Sequence, residues 1–235
     1  MNLFARFWNW IKRMFMVNHL SGFGGGGASL SSVSYLTSAG TNTSSVTIPA
    51  TSRAGDVAVL FDEGRGASAP SLVTPSGWTN LVNTTAGSAR MAVFYKILAS
   101  GEPNTSITGM DGSFGESKLL LVFRPNTPVT TVTPSTFLSE ITSGNPASQS
   151  AAASGQIAPV IVLGGASDQD TVAPSFTTAS PAFDAEVTQT GSGTDYAFRM
   201  GYKIYNAASS PSSHTIDIGD NGNDNGLWSG YLKLA

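Results

Sequence analysis

From Ala28 to the C-terminus no stretch of about 11 residues carries the 3.6-residue periodicity of an amphipathic helix. Short runs rich in Val, Ile, Thr, Tyr and Phe are separated instead by clusters of Gly, Pro, Asn and Ser, the pattern of strands joined by turns. The clearest runs are residues 32–36, 45–48, 56–61, 90–98, 106–110, 118–123, 129–133, 156–163, 196–205, 214–218 and 227–234. Parallel strands need a long crossover, usually a helix. A chain of many short strands and no such helix is therefore expected to be all-β and antiparallel, a sandwich or a barrel.

The landmarks of the first half return in the second. Gly55-Asp56-Val57-Ala58-Val59-Leu60 matches Gly155-Gln156-Ile157-Ala158-Pro159-Val160, and Ala69-Pro70-Ser71 matches Ala173-Pro174-Ser175. Trp78 has a counterpart in Phe183, and Tyr95-Lys96-Ile97 in Tyr202-Lys203-Ile204. In both halves a Pro (Pro103, Pro211), an Ile/Thr strand, a Gly/Asp/Asn turn and a last apolar strand follow. The spacing drifts from 100 to 107 residues, as small loop insertions would make it. Repetition in constant order predicts a pseudo-duplicated, jelly-roll-like antiparallel β-sandwich over residues 29–235. Its similar halves are placed at about 53–125 and 153–235, each feeding strands to both sheets around one core. Along residues 90–97, Met91, Val93, Tyr95 and Ile97 alternate with Arg90, Phe94 and Lys96, so the first set should share a face. Residues 119–123 are apolar throughout, as for a strand covered on both faces.

The N-terminus is different. Leu3, Phe4, Phe7, Trp8, Trp10, Ile11, Met14 and Phe15 fall on one arc of a helical projection, and Arg6, Asn9, Lys12 and Arg13 on the other. The charges interrupt the apolar run well short of the roughly 20 residues a spanning helix needs, and they spoil the core of a signal peptide. Residues 1–20 are expected to form an amphipathic anchoring helix and residues 21–28 a glycine-rich tether. Three uses compete for this helix: docking on a partner protein or on its own kind through Phe4, Phe7, Trp8, Trp10, Ile11, Met14 and Phe15, lying on a membrane surface, or packing on its own domain.

Only 11% of residues are charged, against about 25% in an ordinary soluble domain. Residues 1–27 hold three basic residues and no acid, leaving nine basic residues against fifteen acids in the body, a net of -6. An acidic body gives no general attraction to nucleic acid. With no Cys there is no disulfide framework, thiolate metal site or Cys nucleophile. His19 and His214 are the only imidazoles, one in the arm and one alone at a strand start, and no nucleophile elbow or phosphate-binding loop is present. Glycosidase chemistry needs two facing acids; Asp62-Glu63, Asp168/Asp170 and Asp217/Asp220/Asp224 are the candidates, all expected in loops. Asp217, Asp220 and Asp224, in a Gly/Asn-rich stretch, also offer the oxygens Ca²⁺ prefers, but the terminal Glu of an EF-hand is missing and a long hairpin loop is the plainer reading. Trp78 and Trp228 sit near turns, where an exposed indole would stack on a sugar ring and a buried one would fill the core. No catalytic residue is assigned.

Gly55-Asp56 before an apolar strand, Pro75-Ser76-Gly77-Trp78-Thr79, Phe94-Tyr95-Lys96-Ile97, Gly101-Glu102-Pro103 and a strand ending Phe123-Arg124-Pro125 together resemble a loosely defined group. These are bacteriophage virion-associated and bacterial surface β-sandwich proteins of tail, fibre or minor structural type. The resemblance covers roughly residues 30–235, and the glycine-rich stretch at residues 21–27 is similar to phage structural proteins too; the aromatic helix ahead of it departs from the pattern. The resemblance implies a non-enzymatic particle component, such as a spike, fibre or capsid decoration. Its N-terminal helix would hold other virion proteins, and its sandwich would face outward on the virion for host attachment, in several copies and with a host-surface glycan as partner. A secreted or surface carbohydrate-binding module is the alternative.

Overall fold

The computed structural model describes residues 30–108, 115–142, 144, 146–157, 159–169, 172–191, 196–207, 209–218 and 225–235. The expected helix over residues 1–20, with Phe4, Phe7, Trp8, Trp10, Ile11, Met14 and Phe15, and all but the last stretch of chain before β1 lie outside the described residues.

The described chain is all-β. In order its strands are β1 (Val33–Thr41), β2 (Ser45–Thr47), β3 (Val57–Arg65), β4 (Thr79–Ala86), β5 (Ala89–Ile97), β6 (Ser106–Thr108), β7 (Gly115–Pro125), β8 (Val132–Pro134), β9 (Leu138–Thr142), β10 (Gln149–Ala151), β11 (Val160–Asp168), β12 (Phe176–Ser180), β13 (Ala185–Gln189), β14 (Ala197–Tyr205), β15 (His214–Ile218) and β16 (Asn225–Leu234). One large sheet runs β1-β7-β3-β5-β4. The other runs β13-β14-β11-β16-β8, with β9 also on β16. Two small sheets, β2-β6 and β10-β15-β12, complete the set.

Side-chain alternation sorts these sheets into layers. Val57, Val59 and Phe61 point into a core shared with Ile161, Leu163, Phe198, Met200 and Trp228 of the other large sheet. Ala58 and Leu60 point the opposite way, with Phe94, Leu120 and Val122, onto Val46 and Ile107 of the small β2-β6 sheet and Ile48 just after it. Strand β3 is thus covered on both faces, which is why its first five residues are all apolar. Met91 and Val93 face the shared core, with Tyr95 and Ile97 packed against it, and Phe94 faces the outer one. Across the molecule, Val160 and Val162 pack with Ala151 and Ala153, and Ala166 and Leu227 with Ile216 and Ile218. Four β layers result, with two large sheets face to face at the centre. Phe61 lies at their contact, stacked on Phe198 at 4.3 Å and edge-on to Trp228 at 5.4 Å.

The strand pairings also repeat. Val57 is paired with Ile97 and Phe123, and Ile161 with Ile204 and Leu232. Superposing these pairs makes β4-β5-β3-β7 coincide with β13-β14-β11-β16. The match extends upstream of residues 53 and 153. Val33 to Tyr35 pair with Pro125 to Phe123, as Val132 to Pro134 pair with Leu234 to Leu232. It also shifts one alignment, because Val57 corresponds to Ile161 rather than Ile157; four more residues separate Gly155 from Ile161 than separate Gly55 from Val57. Both glycines keep a positive φ, 85° and 77°, which a side chain would resist.

The halves do not each feed both sheets in a jelly-roll-like manner. Each builds one large sheet and its own outer layer, because short connections pair neighbouring strands such as β4 with β5 and β13 with β14 locally.

Candidate functional site

The residues behind the family resemblance tie turns to strands. Asp56, 1% exposed, accepts from Arg124 Nε at 3.0 Å and Nη2 at 2.7 Å, and from the Arg53 N–H at 2.9 Å. The bond to Asp56 raises the Arg124 pKa further and keeps it charged. Lys96 pairs with Glu102, whose other oxygen accepts the Ala99 N–H at 2.6 Å. The second half repeats the device with Lys203 and Asp184 at 2.9 Å, Asp184 also accepting the Ile204 N–H at 2.8 Å. Arg90 and Arg199 donate to the carbonyls of Pro70 and Pro174, pinning the two Ala-Pro-Ser loops. Each of these groups is used in holding the fold.

The expected loop carboxylates are strand residues instead. Asp62 and Glu63 are in β3 and Asp168 in β11, all buried. Successive strand residues point to opposite faces, so Asp62 and Glu63 cannot flank one sugar. Asp62 lies 2.9 Å from the buried Lys118 Nζ, which also pairs with Glu116. Glu63 faces the central core and accepts the hydroxyl of Ser167; Gly226 leaves room for this contact, since a Cβ there would meet Ser167 Oγ at 2.4 Å.

His214 is fully buried against Phe183 and 3.3 Å from the Tyr205 hydroxyl. Burial, reinforced by Lys203, lowers its pKa to about 4, so it is a neutral packing residue at pH 7. Asp217, in β15, is half-buried and accepts from Ser148 Oγ at 3.0 Å. Asp220, Asp224, Asp170 and His19 lie outside the described residues. Among the described residues no three His, Asp or Glu side chains are grouped to hold a metal ion, and no helix is long and apolar enough to cross a membrane.

Neither tryptophan presents a face to a sugar. Trp228 is fully buried in the central core, and Trp78 is 8% exposed in the outer one. The close fit of Trp228 depends on Gly165, where a Cβ would stand 2.3 Å from the indole. Core filling wins because an indole buries so much apolar area.

An open groove of about 310 Å³ is lined by Ser135, Thr136, Leu138, Ser150, Ala152 and Tyr231. It forms where the pairing of β16 is interrupted. Leu232 pairs with Pro134 and Ser229 with Leu138, so three residues, Ser135 to Phe137, span the space opposite two. Phe137 turns inward onto Gly230, where a Cβ would meet its ring at 2.4 Å. Ser135 stays at the rim, its N–H donating to the Tyr231 carbonyl and its Oγ accepting the Tyr231 N–H, both at 2.9 Å. Tyr231, partly buried, packs against the cluster of Ala151, Ala153, Val160, Val162 and Tyr205. Ser150 Oγ is held 2.9 Å from Thr215 Oγ1. Sequence reading missed this site, whose only local sign is the glycine beside Tyr231 in an otherwise bulky strand. In comparisons with known proteins, no family model, no curated protein and no solved structure matches the chain.

Proposed function

We propose that this chain is a non-enzymatic structural component of a virus particle, a spike, fibre or decoration held by residues 1–20 and presenting a duplicated β-sandwich for attachment to a host surface. The observation that carries this reading is the division of labour along the chain. The aromatic, all-basic N-terminal segment has no acid among its first 27 residues. In the body, the charged motif residues Asp56, Lys96, Glu102, Arg124, Asp184 and Lys203 are committed to internal ties, and the buried His214 and Asp62 face packed neighbours. Such a body offers shape and hydroxyls rather than reactive groups. Co-purification with particles is the test: full-length protein is expected to accompany them and the chain lacking residues 1–20 is not. Equal incorporation of both forms overturns the anchor.

The alternative, a surface carbohydrate-binding module, is favoured by one feature, the open groove beside Tyr231.

A further inference from the structure

We propose that the groove between β10 and the β8–β9 interruption is a binding site for a neutral sugar, with Tyr231 as its platform. This deepens the attachment reading above and rests on it for biological meaning.

The two halves supply an internal comparison. Matching the pairings of β1 on β7 with those of β8 and β9 on β16 places Leu36, Ala39 and Val122 where the second half has Ser135, Leu138 and Tyr231. Both partner strands carry one extra residue at this point, since Tyr35 pairs with Phe123 and Thr37 with Val122. The backbone irregularity is therefore common to both halves. In the first half it is closed: Val122 is fully buried and Leu36 and Ala39 pack over it. In the second half the same place is open: Ser135 stands where the first half has Leu36, and Leu138, in the place of Ala39, is 46% exposed rather than packed down. Packing alone favours the closed version, because each apolar side chain left in water forgoes burial. The opened version needs another reason, and a ligand supplies one.

The lining identifies the ligand class. None of the six residues carries a formal charge at pH 7, so neither an anion nor a cation gains an ionic partner there. Ser135, Thr136 and Ser150 offer hydroxyls that both donate and accept, while the Tyr231 ring and Leu138 offer apolar contact. A pyranose has this composition, a face of C–H groups edged by hydroxyls. Ser135 and Ser150 are already held by their own hydrogen bonds, which lowers the entropy cost of binding. At about 310 Å³ the groove is at the small end of ligand sites, which run from about 300 Å³ upward, and suits one or two sugar rings at the end of a glycan.

The experiment uses full-length protein on an array of neutral and acidic glycans, followed by calorimetric titration with the free neutral sugars retained. Thr136→Arg and Leu138→Arg place a long side chain across the groove from exposed positions and leave the core alone; thermal melts confirm the fold. Neutral glycans are expected to bind, and each variant to weaken binding about tenfold or more at an unchanged melting temperature. Absence of neutral binders, retention of acidic glycans only, or binding that survives both substitutions overturns the site. Particle association is scored in parallel. Normal incorporation without sugar binding removes the groove alone, and sugar binding without incorporation removes the particle reading alone.

Discussion

Lys118 is buried in the first half between Asp62 and Glu116, and the corresponding positions of the second half show another solution to the same packing problem. Matching the pairings places Ala166, Asn225 and Leu227 where the first half has Asp62, Glu116 and Lys118. Ala166 and Leu227 sit in an apolar cluster with Ile216 and Ile218. Replacing Lys118 by Leu removes the cation and leaves two carboxylates in a site without solvent. Breaking a buried pair from one side costs about 3–5 kcal/mol. For a chain of this length each kcal/mol lowers the melting temperature by about 2–4 °C, so Lys118→Leu is expected to melt roughly 6–20 °C lower. The combined variant Asp62→Ala, Glu116→Asn, Lys118→Leu installs the second half's apolar arrangement. Because a buried ion pair and a well-packed apolar replacement are often close in free energy, most of the loss should return. Urea unfolding followed by tryptophan fluorescence, read as a midpoint shift at constant slope, measures all three proteins. A single variant within about 1 kcal/mol of the parent, against the 3–5 expected, or a triple variant no better than the single, refutes the reasoning.

Other consequences can be measured on the same purified chain. Gly165→Ala forces a methyl against the Trp228 indole and is expected to cost about 1–3 kcal/mol by overpacking, visible in denaturant midpoints; an unchanged midpoint means the indole can move. His214 has a folded pKa near 4 against 6.5 when free, so below pH 6.5 the unfolded chain takes up the proton first. Stability from this group is complete above pH 6.5, declines as the pH falls to about 4, and amounts to about 3 kcal/mol. His214→Phe should flatten that part of the stability–pH curve, and an unaltered slope contradicts the burial argument. Asp56→Ala takes the acceptor from the Arg53 N–H and the carboxylate from Arg124, which keeps the Thr51 carbonyl, and should cost about 2–3 kcal/mol, the partial exposure of Arg124 holding the figure down; a loss near zero would show that water replaces the carboxylate.

Local patterns carried the all-β class, and they failed where an answer lay on a distant strand. The apolar run at residues 119–123 announces a strand covered on both sides, and it is so covered; residues 57–61, read only as a strand, prove to be covered in the same way. Asp62-Glu63 after such a run looks like its end. The strand continues to Arg65 because Lys118 waits on β7 for Asp62 and Ser167 on β11 for Glu63, partners 56 and 104 residues away. The polar strands β4, β9, β10, β12 and β13 lack the apolar alternation that marks a strand. They are held at edges and in outer layers by backbone pairing to stronger neighbours. Trp228 gave no local sign of burial, which depends on Gly165 across the β11–β16 pair. The groove needed Gly230, Phe137 and the interrupted register together, none of which spacing along the chain reveals.

Glu63 gives the central contact a direction. By the matched pairings its own counterpart is Ser167, so the two equivalent positions meet between the sheets as an acceptor and a hydroxyl donor. Were two first halves to associate across this face, Glu63 would meet a second Glu63, and two carboxylates would share a water-free contact that neither can tolerate charged. Two second halves would meet serine to serine and set Gly165 opposite Gly165, with no Phe61 to fill the space. Only unlike halves satisfy both the charge and the shape. In an assembly that crowds many copies together, like halves of neighbouring chains are therefore kept from pairing face to face, and every such contact is steered toward one first half on one second half.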